Sequence, residues 1–120
     1  MKIEFIFPGY LIIAFWVFIL NDSLIKSKLK DYEGAIADYN KAIELDPSYA
    51  LAYNNRGAAK AELIDYSGAI ADYTKSIELD PNDAKPYYNR GLSKDFLKDY
   101  NGALTDYNKA IELEPNDSDA

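Results

Sequence analysis

No cysteine and no histidine occur among the 120 residues of this sequence. Without cysteine there is no disulfide frame and no thiolate metal site. Without histidine, the commonest general base and imidazole ligand near neutral pH are missing as well. Cations are in short supply: 13 Lys and Arg stand against 20 Asp and Glu, for a formal charge of −7. The deficit lies in residues 31–120, because the first thirty carry Lys2, Lys26, Lys28 and Lys30 against only Glu4 and Asp22. An acidic surface repels phosphate backbones, so nucleic acid is not an expected partner. Glycine and proline are few, at 6 and 5, but most of them return at a fixed interval.

That interval is 34 residues. The segment Leu29–Pro47 returns as Leu63–Pro81 and again as Leu97–Pro115, keeping Tyr32/Tyr66/Tyr100, Gly34/Gly68/Gly102 and Pro47/Pro81/Pro115 in register. A fixed period of this length marks a stacked array, in which each unit covers the apolar face of its neighbour. Within the segment, Ala35, Ile36, Tyr39, Ala42 and Ile43 have the 3-and-4 spacing of one helical face. Asp38, Lys41 and Glu44 read as a solvated outer face, and Asp72 and Asp106 repeat the Asp38 position. The closing proline stops each helix, and Ser48, Asn82 and Asn116 follow as candidate N-caps. Turns are expected at Asp31–Glu33, Asp65–Ser67 and Asp99–Asn101.

A second helix pattern alternates with the first, as Ala50–Leu63 and Ala84–Leu97. The two copies align at Tyr53/Tyr87, Asn55/Asn89, Arg56/Arg90, Gly57/Gly91 and Lys60/Lys94. With Ala69, Tyr73 and Pro81, and again Ala103, Tyr107 and Pro115, this resembles the tetratricopeptide repeat pattern. Arg stands for the pattern's Leu, Lys for its second aromatic and Tyr for its Phe. Long cationic side chains are expected there to bury their stems and keep their charge wet. The resemblance implies an all-α fold, an α-solenoid of about three helix-turn-helix repeats at about 16–49, 50–83 and 84–117. It also implies six helices paired antiparallel in a right-handed superhelix.

The domain reading is a hydrophobic N-terminal segment, 1–20, followed by the repeat array, 21–120. Phe5–Leu20 carries no charge and is apolar on every face beyond Pro8-Gly9. Three readings stay open: a short membrane anchor, a cleaved signal peptide, and an apolar helix buried against the array or a partner. A continuous helix from about Tyr10 to Leu29 would serve as both anchor and first repeat helix. The array is then expected either in the cytoplasm beneath a membrane or as a cytoplasmic protein.

Chemistry is not expected from these residues. The glycines are single residues at repeat spacing rather than a phosphate loop, and the recurring carboxylates do not form one perturbed pair. The chain is read as no enzyme, with no cofactor and no metal. What the resemblance implies instead is binding: first helices of successive repeats line a groove for a peptide or partner helix of another protein. The matching residues here are Leu51, Asn54, Asn55, Ala58 and Glu62, then Lys85, Tyr88, Asn89, Leu92 and Asp95. Asn21, Asn55 and Asn89 recur at the period, and carboxamides that both donate and accept suit a peptide backbone. Chaperone-binding members hold a terminal carboxylate with Lys and Asn, then Asn, then Lys and Arg. This chain has Leu20 and Leu24, then Asn55, then Lys85 and Asn89, so that clamp is not expected. A self-associating scaffold, homo-oligomeric through uncapped ends and tethered to a membrane by residues 5–20, is the alternative, and part of an enzyme whose catalytic region is absent is a more remote one.

Overall fold

A computed structural model describes the backbone of residues 8–114 and the side chains of residues 13, 14 and 28–114. Every element among the described residues is helical. Among these residues there are five helices: α1 (Pro8–Leu45), α2 (Ala50–Glu62), α3 (Tyr66–Leu79), α4 (Ala84–Phe96) and α5 (Tyr100–Leu113). Packing divides the chain into Met1–Asp31 and Tyr32–Ala120. In the second unit α2 packs on α3 and α4 on α5 as hairpins, and α3 joins the two hairpins by packing on α4.

Each hairpin forms for the same local reasons. The turns at Leu63–Asp65 and Leu97–Asp99 are tight because Ile64 and Lys98 take positive φ, 65° and 67°, a conformation that L-residues adopt only where the surroundings enforce it. Asp65 and Asp99 then cap the next helix, accepting from the N–H of Gly68 at 2.9 Å and of Gly102 at 3.0 Å. Across each hairpin a tyrosine ring packs closely against a glycine. A Cβ built on Gly57 would stand 2.8 Å from the Tyr73 ring, and one on Gly91 would stand 2.7 Å from the Tyr107 ring. The buried core is accordingly made of small residues, Ala52, Ala59, Ala69, Ala84, Ala103 and Ala110, around Tyr73 and Tyr87. Tyr53 and Tyr87 tie helix to linker by donating to the carbonyls of Pro47 and Pro81.

Three expectations are corrected. The turn at Asp31–Glu33 is absent, since α1 runs through it without a break, and six expected helices become five. The sequence explains why: where the two hairpins have Arg56-Gly57 and Arg90-Gly91, the first repeat has Asp22-Ser23. A Ser at that position would bring a Cβ into the tyrosine ring, and an Asp would oppose the carboxylate that Arg56 and Arg90 neutralise.

The second correction concerns that carboxylate. Asp72 and Asp106 are not on a solvated face, being 4% and 2% exposed. Arg56 donates to Asp72 from Nε at 2.8 Å and from Nη2 at 2.6 Å, and Lys60 approaches it at 3.0 Å. Arg90 and Lys94 repeat the arrangement on Asp106, at 2.8, 2.7 and 3.0 Å. So the cationic heads are spent inside the repeat rather than in water.

Third, the helix caps sit one residue later than expected. Asp46 accepts from the N–H and hydroxyl of Ser48, and Asp80 accepts from the N–H of Asn82. These local turns use up Ser48 and Asn82. Tyr49 becomes the N-cap of α2, without a side-chain bond, and Asp83 caps α4 through the N–H of Lys85.

Candidate functional site

The face carrying α2 and α4 is the site to consider, because three cavities open along it. The largest, about 670 Å³, lies between α4 and α5 and is lined by Lys85, Tyr88, Asn89, Leu92, Tyr107, Ile111 and Glu114, with Ala84 and Ala110 at its floor. The rings of Tyr88 and Tyr107 meet there at 5.7 Å, tilted by 45°. A second cavity of about 300 Å³ is walled by Glu62, Ile64, Tyr66, Tyr73, Asn89, Leu92 and Phe96. A third, of about 290 Å³, is walled by Tyr32, Tyr39, Asn55, Ala58 and Glu62. Tyr66 and Phe96 stack face to face at 4.8 Å with only 2° between their planes. Helical spacing produces this alignment: Lys85, Tyr88, Asn89 and Leu92 succeed one another at 3, 1 and 3 residues along one side of α4.

The residues picked from the sequence are distributed unevenly over this face. Lys85, Tyr88, Asn89 and Leu92 come together on the largest cavity, and Asn55 stands on the third. Leu51 is exposed and lines none of the three. Asn54 is only 5% exposed, and its Oδ1 accepts from Nδ2 of Asn89 at 3.2 Å. That carboxamide therefore joins α2 to α4 inside the protein, and one donor of Asn89 is already committed. Asn21 lies outside the described side chains, as does nearly all of the apolar run 5–20. Among the described residues no helix is long and apolar enough to cross a membrane, and no group of three or more Asp or Glu could hold a metal ion.

Sequence reasoning did not name Tyr66, Phe96, Tyr107 or Ile111 as binding residues. Their signal was present in part, since Tyr32, Tyr66 and Tyr100 recur at the period. Phe96 replaces Glu62 in register, which a search for identities discards. The electrostatics of the face arise from burial. Burial pushes the Tyr73 hydroxyl up to about 12, helped by the charges of Glu62 and Asp72, so the ring stays neutral throughout the physiological range. Tyr107 is raised for the same first reason, with Asp95 and Tyr88 adding to it. On the far side of each hairpin, the hydrogen bond to Asp72 or Asp106 holds Arg56 or Arg90 above its ordinary value, against burial.

Comparison with known families decides the identity. The pattern described as TPR repeat matches residues 26–63 and 65–94, and the pattern described as tetratricopeptide repeat matches 84–117. The chain belongs to the tetratricopeptide repeat family. No curated protein sequence matches it. Several solved tetratricopeptide repeat domains do. The second such domain of Spaghetti (RPAP3), bound to the HSP90 peptide SRMEEVD, is 34% identical with a TM-score of 0.67, covering 68% of this chain and 76% of that one. The TPR2B domain of yeast Sti1, in complex with pHsp70, is 33% identical with a TM-score of 0.69 over 74% of each chain. The Arabidopsis OM64 domain is 35% identical with a TM-score of 0.71 over 73% of each. Tetratricopeptide geometry also accounts for the glycine–tyrosine contacts, which set how closely the two helices of a repeat approach.

Proposed function

We propose that this chain is a protein-interaction module that holds an extended peptide, or one face of a partner helix, along α2 and α4. The carrying observation is the convergence of Lys85, Tyr88, Asn89 and Leu92 on one cavity of about 670 Å³, a volume in the range of functional ligand sites. Tyr88 is 51% exposed and Ile111 62%, so the cavity offers aromatic and aliphatic surface of the kind that anchors partners. Asn55 and the free part of Asn89 supply backbone-directed hydrogen bonds at either side. Related repeat domains solved with chaperone peptides support the reading, because they put the same fold to this use. The grip differs in kind: Leu20, Leu24 and Asn89 stand where a carboxylate clamp has Lys, Asn and Arg.

An array of random peptides, probed with labelled chain, tests this. Peptides bound by the parent are expected to lose about tenfold or more when Tyr88→Ala and Leu92→Ser are introduced together, as for residues at an interface centre. If no peptide binds, or if the bound ones are indifferent to both substitutions, the reading fails.

A further inference from the structure

The second and third cavities are copies of each other. Tyr32, Tyr39 and Asn55 in one become Tyr66, Tyr73 and Asn89 in the other, each 34 residues on. Both present two tyrosine rings and a carboxamide, and both border Glu62. Resting on the peptide-binding reading above, we propose that these twin cavities receive Lys or Arg side chains, so that the peptide held along α2 and α4 is basic.

Four observations carry this. First, Glu62 is exposed, and among the described residues its carboxylate accepts a single long bond, from the Tyr32 hydroxyl at 3.4 Å; it borders both cavities. Second, among the described residues neither cavity is lined by a Lys or Arg. The cations of the same helices are engaged elsewhere, Lys60 on Asp72 and Lys94 on Asp106, and Lys85 opens on the larger cavity. Third, the flat Tyr66–Phe96 stack offers aromatic faces, which attract a cation through the ring quadrupole and suit a planar guanidinium best. The chain does this within itself, placing the Arg56 guanidinium 5.5 Å from the Tyr53 ring centre and that of Arg90 5.8 Å from Tyr87. Fourth, the net charge of −7 steers basic segments towards the surface and slows acidic ones.

The experiment uses the full chain, isotopically labelled, with three short acetylated and amidated peptides on one Gly/Ser/Ala background, bearing Arg, Glu or neither. The Arg peptide is expected to shift the side-chain amides of Asn55 and Asn89 and to bind about tenfold tighter than the Glu peptide at low salt. The gap closes at about 0.5 M salt, where charges are screened over a few ångströms. Glu62→Lys is expected to weaken the Arg peptide about tenfold, whereas Glu78→Lys, the same charge change at an exposed residue of α3 paired with Lys75, leaves its affinity alone. Glu62 is an exposed last residue of α2, where Lys suits the helix end, so the fold is retained; helix content by circular dichroism checks it. If the Glu or neutral peptide moves Asn55 and Asn89 with equal or better affinity, the groove stands and the basic ligand is overturned. The basic ligand is overturned equally if Glu78→Lys weakens binding as much as Glu62→Lys. If no peptide moves either amide, the groove reading itself falls, and this inference with it.

Discussion

Replacing Asp106 by Asn tests the ion-pair account of the repeat with little change of shape. In the parent, the carboxylate receives Nε and Nη2 of Arg90 at 2.8 and 2.7 Å, and Lys94 at 3.0 Å. An amide retains one acceptor and turns a donor towards one of these cations. Hydrogen bonds to charged groups are worth about 1.5–3 kcal/mol each, and stripping one partner from a sealed pair costs about 3–5 kcal/mol. This pair is not sealed on the cationic side, because Arg90 and Lys94 are 17% and 22% exposed and recover part of their hydration. The expected loss is therefore about 2–3 kcal/mol, at the lower end of those ranges. For a small domain it lowers the Tm by roughly 10–20 °C.

The pH dependence gives an independent sign. Burial alone would raise the Asp106 carboxyl, but hydrogen bonds and charge from Arg90 and Lys94 together hold it below its ordinary 3.8. A depressed carboxyl contributes stability above its unfolded value, and that contribution is lost as pH falls through the folded one. The parent and Asp106→Asn should thus differ fully near neutral pH and converge only in acid, once pH has fallen through the carboxyl's lowered folded value. Urea unfolding followed by circular dichroism at both pH values measures this. A difference under about 0.5 kcal/mol at neutral pH, the size expected of an exposed pair, would refute the reasoning, as would a gap that persists in acid.

Glycine substitutions separate the first repeat from the others. Gly57→Ala should destabilise by about 1–2 kcal/mol in thermal unfolding, since overpacking against the buried Tyr73 exceeds the helix-propensity gain. Gly34→Ala meets nothing within 4 Å and should stabilise by up to about 1 kcal/mol; a loss there would mean that a turn interrupts α1. Ile64→Gly relieves a β-branched residue at φ 65° and should raise stability by roughly 0.5–1 kcal/mol, a gain that denaturant midpoints will show or deny. Asp99→Ala removes the cap on Gly102 and should cost about 1 kcal/mol, readable as faster amide exchange in the first turn of α5.

How much of this was legible depends on whether a feature lives on one helix or between two. The period, the helix pairs after residue 50 and the role of Gly57 and Gly91 could be read directly, because each repeats in sequence with its neighbours. The burial of Asp72 could not be read from its own helix, where it shares a face with Lys75. It becomes visible only when Arg56 and Asp72 are seen to recur together as Arg90 and Asp106, whereas the first repeat keeps the aspartate as Asp38 and has Asp22 in place of the arginine. The continuity of α1 goes with a departure from the repeat at Asp22 and Ser23, where the later copies have Arg-Gly, a mismatch that a search for similarity passes over. At the site, the resemblance named Lys85, Tyr88, Asn89 and Leu92 together, and all four line one cavity. The period alone could not show that Asn54 is turned inward to meet Asn89, nor that Phe96 lies on Tyr66, because both contacts join different repeats.

The arginines have a further partner that bears on how one hairpin is coupled to the next. Besides its own aspartate, Arg56 donates from Nη1 to Asn40 at 2.9 Å, and Arg90 donates to Thr74 at 3.2 Å. Each of these lies 16 residues before the arginine, just as Asp72 and Asp106 lie 16 after. Each arginine thus ties three successive helices together, α1, α2 and α3 through Arg56 and α3, α4 and α5 through Arg90. Because α3 carries both Asp72 and Thr74, the two clusters share a helix, and a change in one hairpin's polar contacts is transmitted to the next.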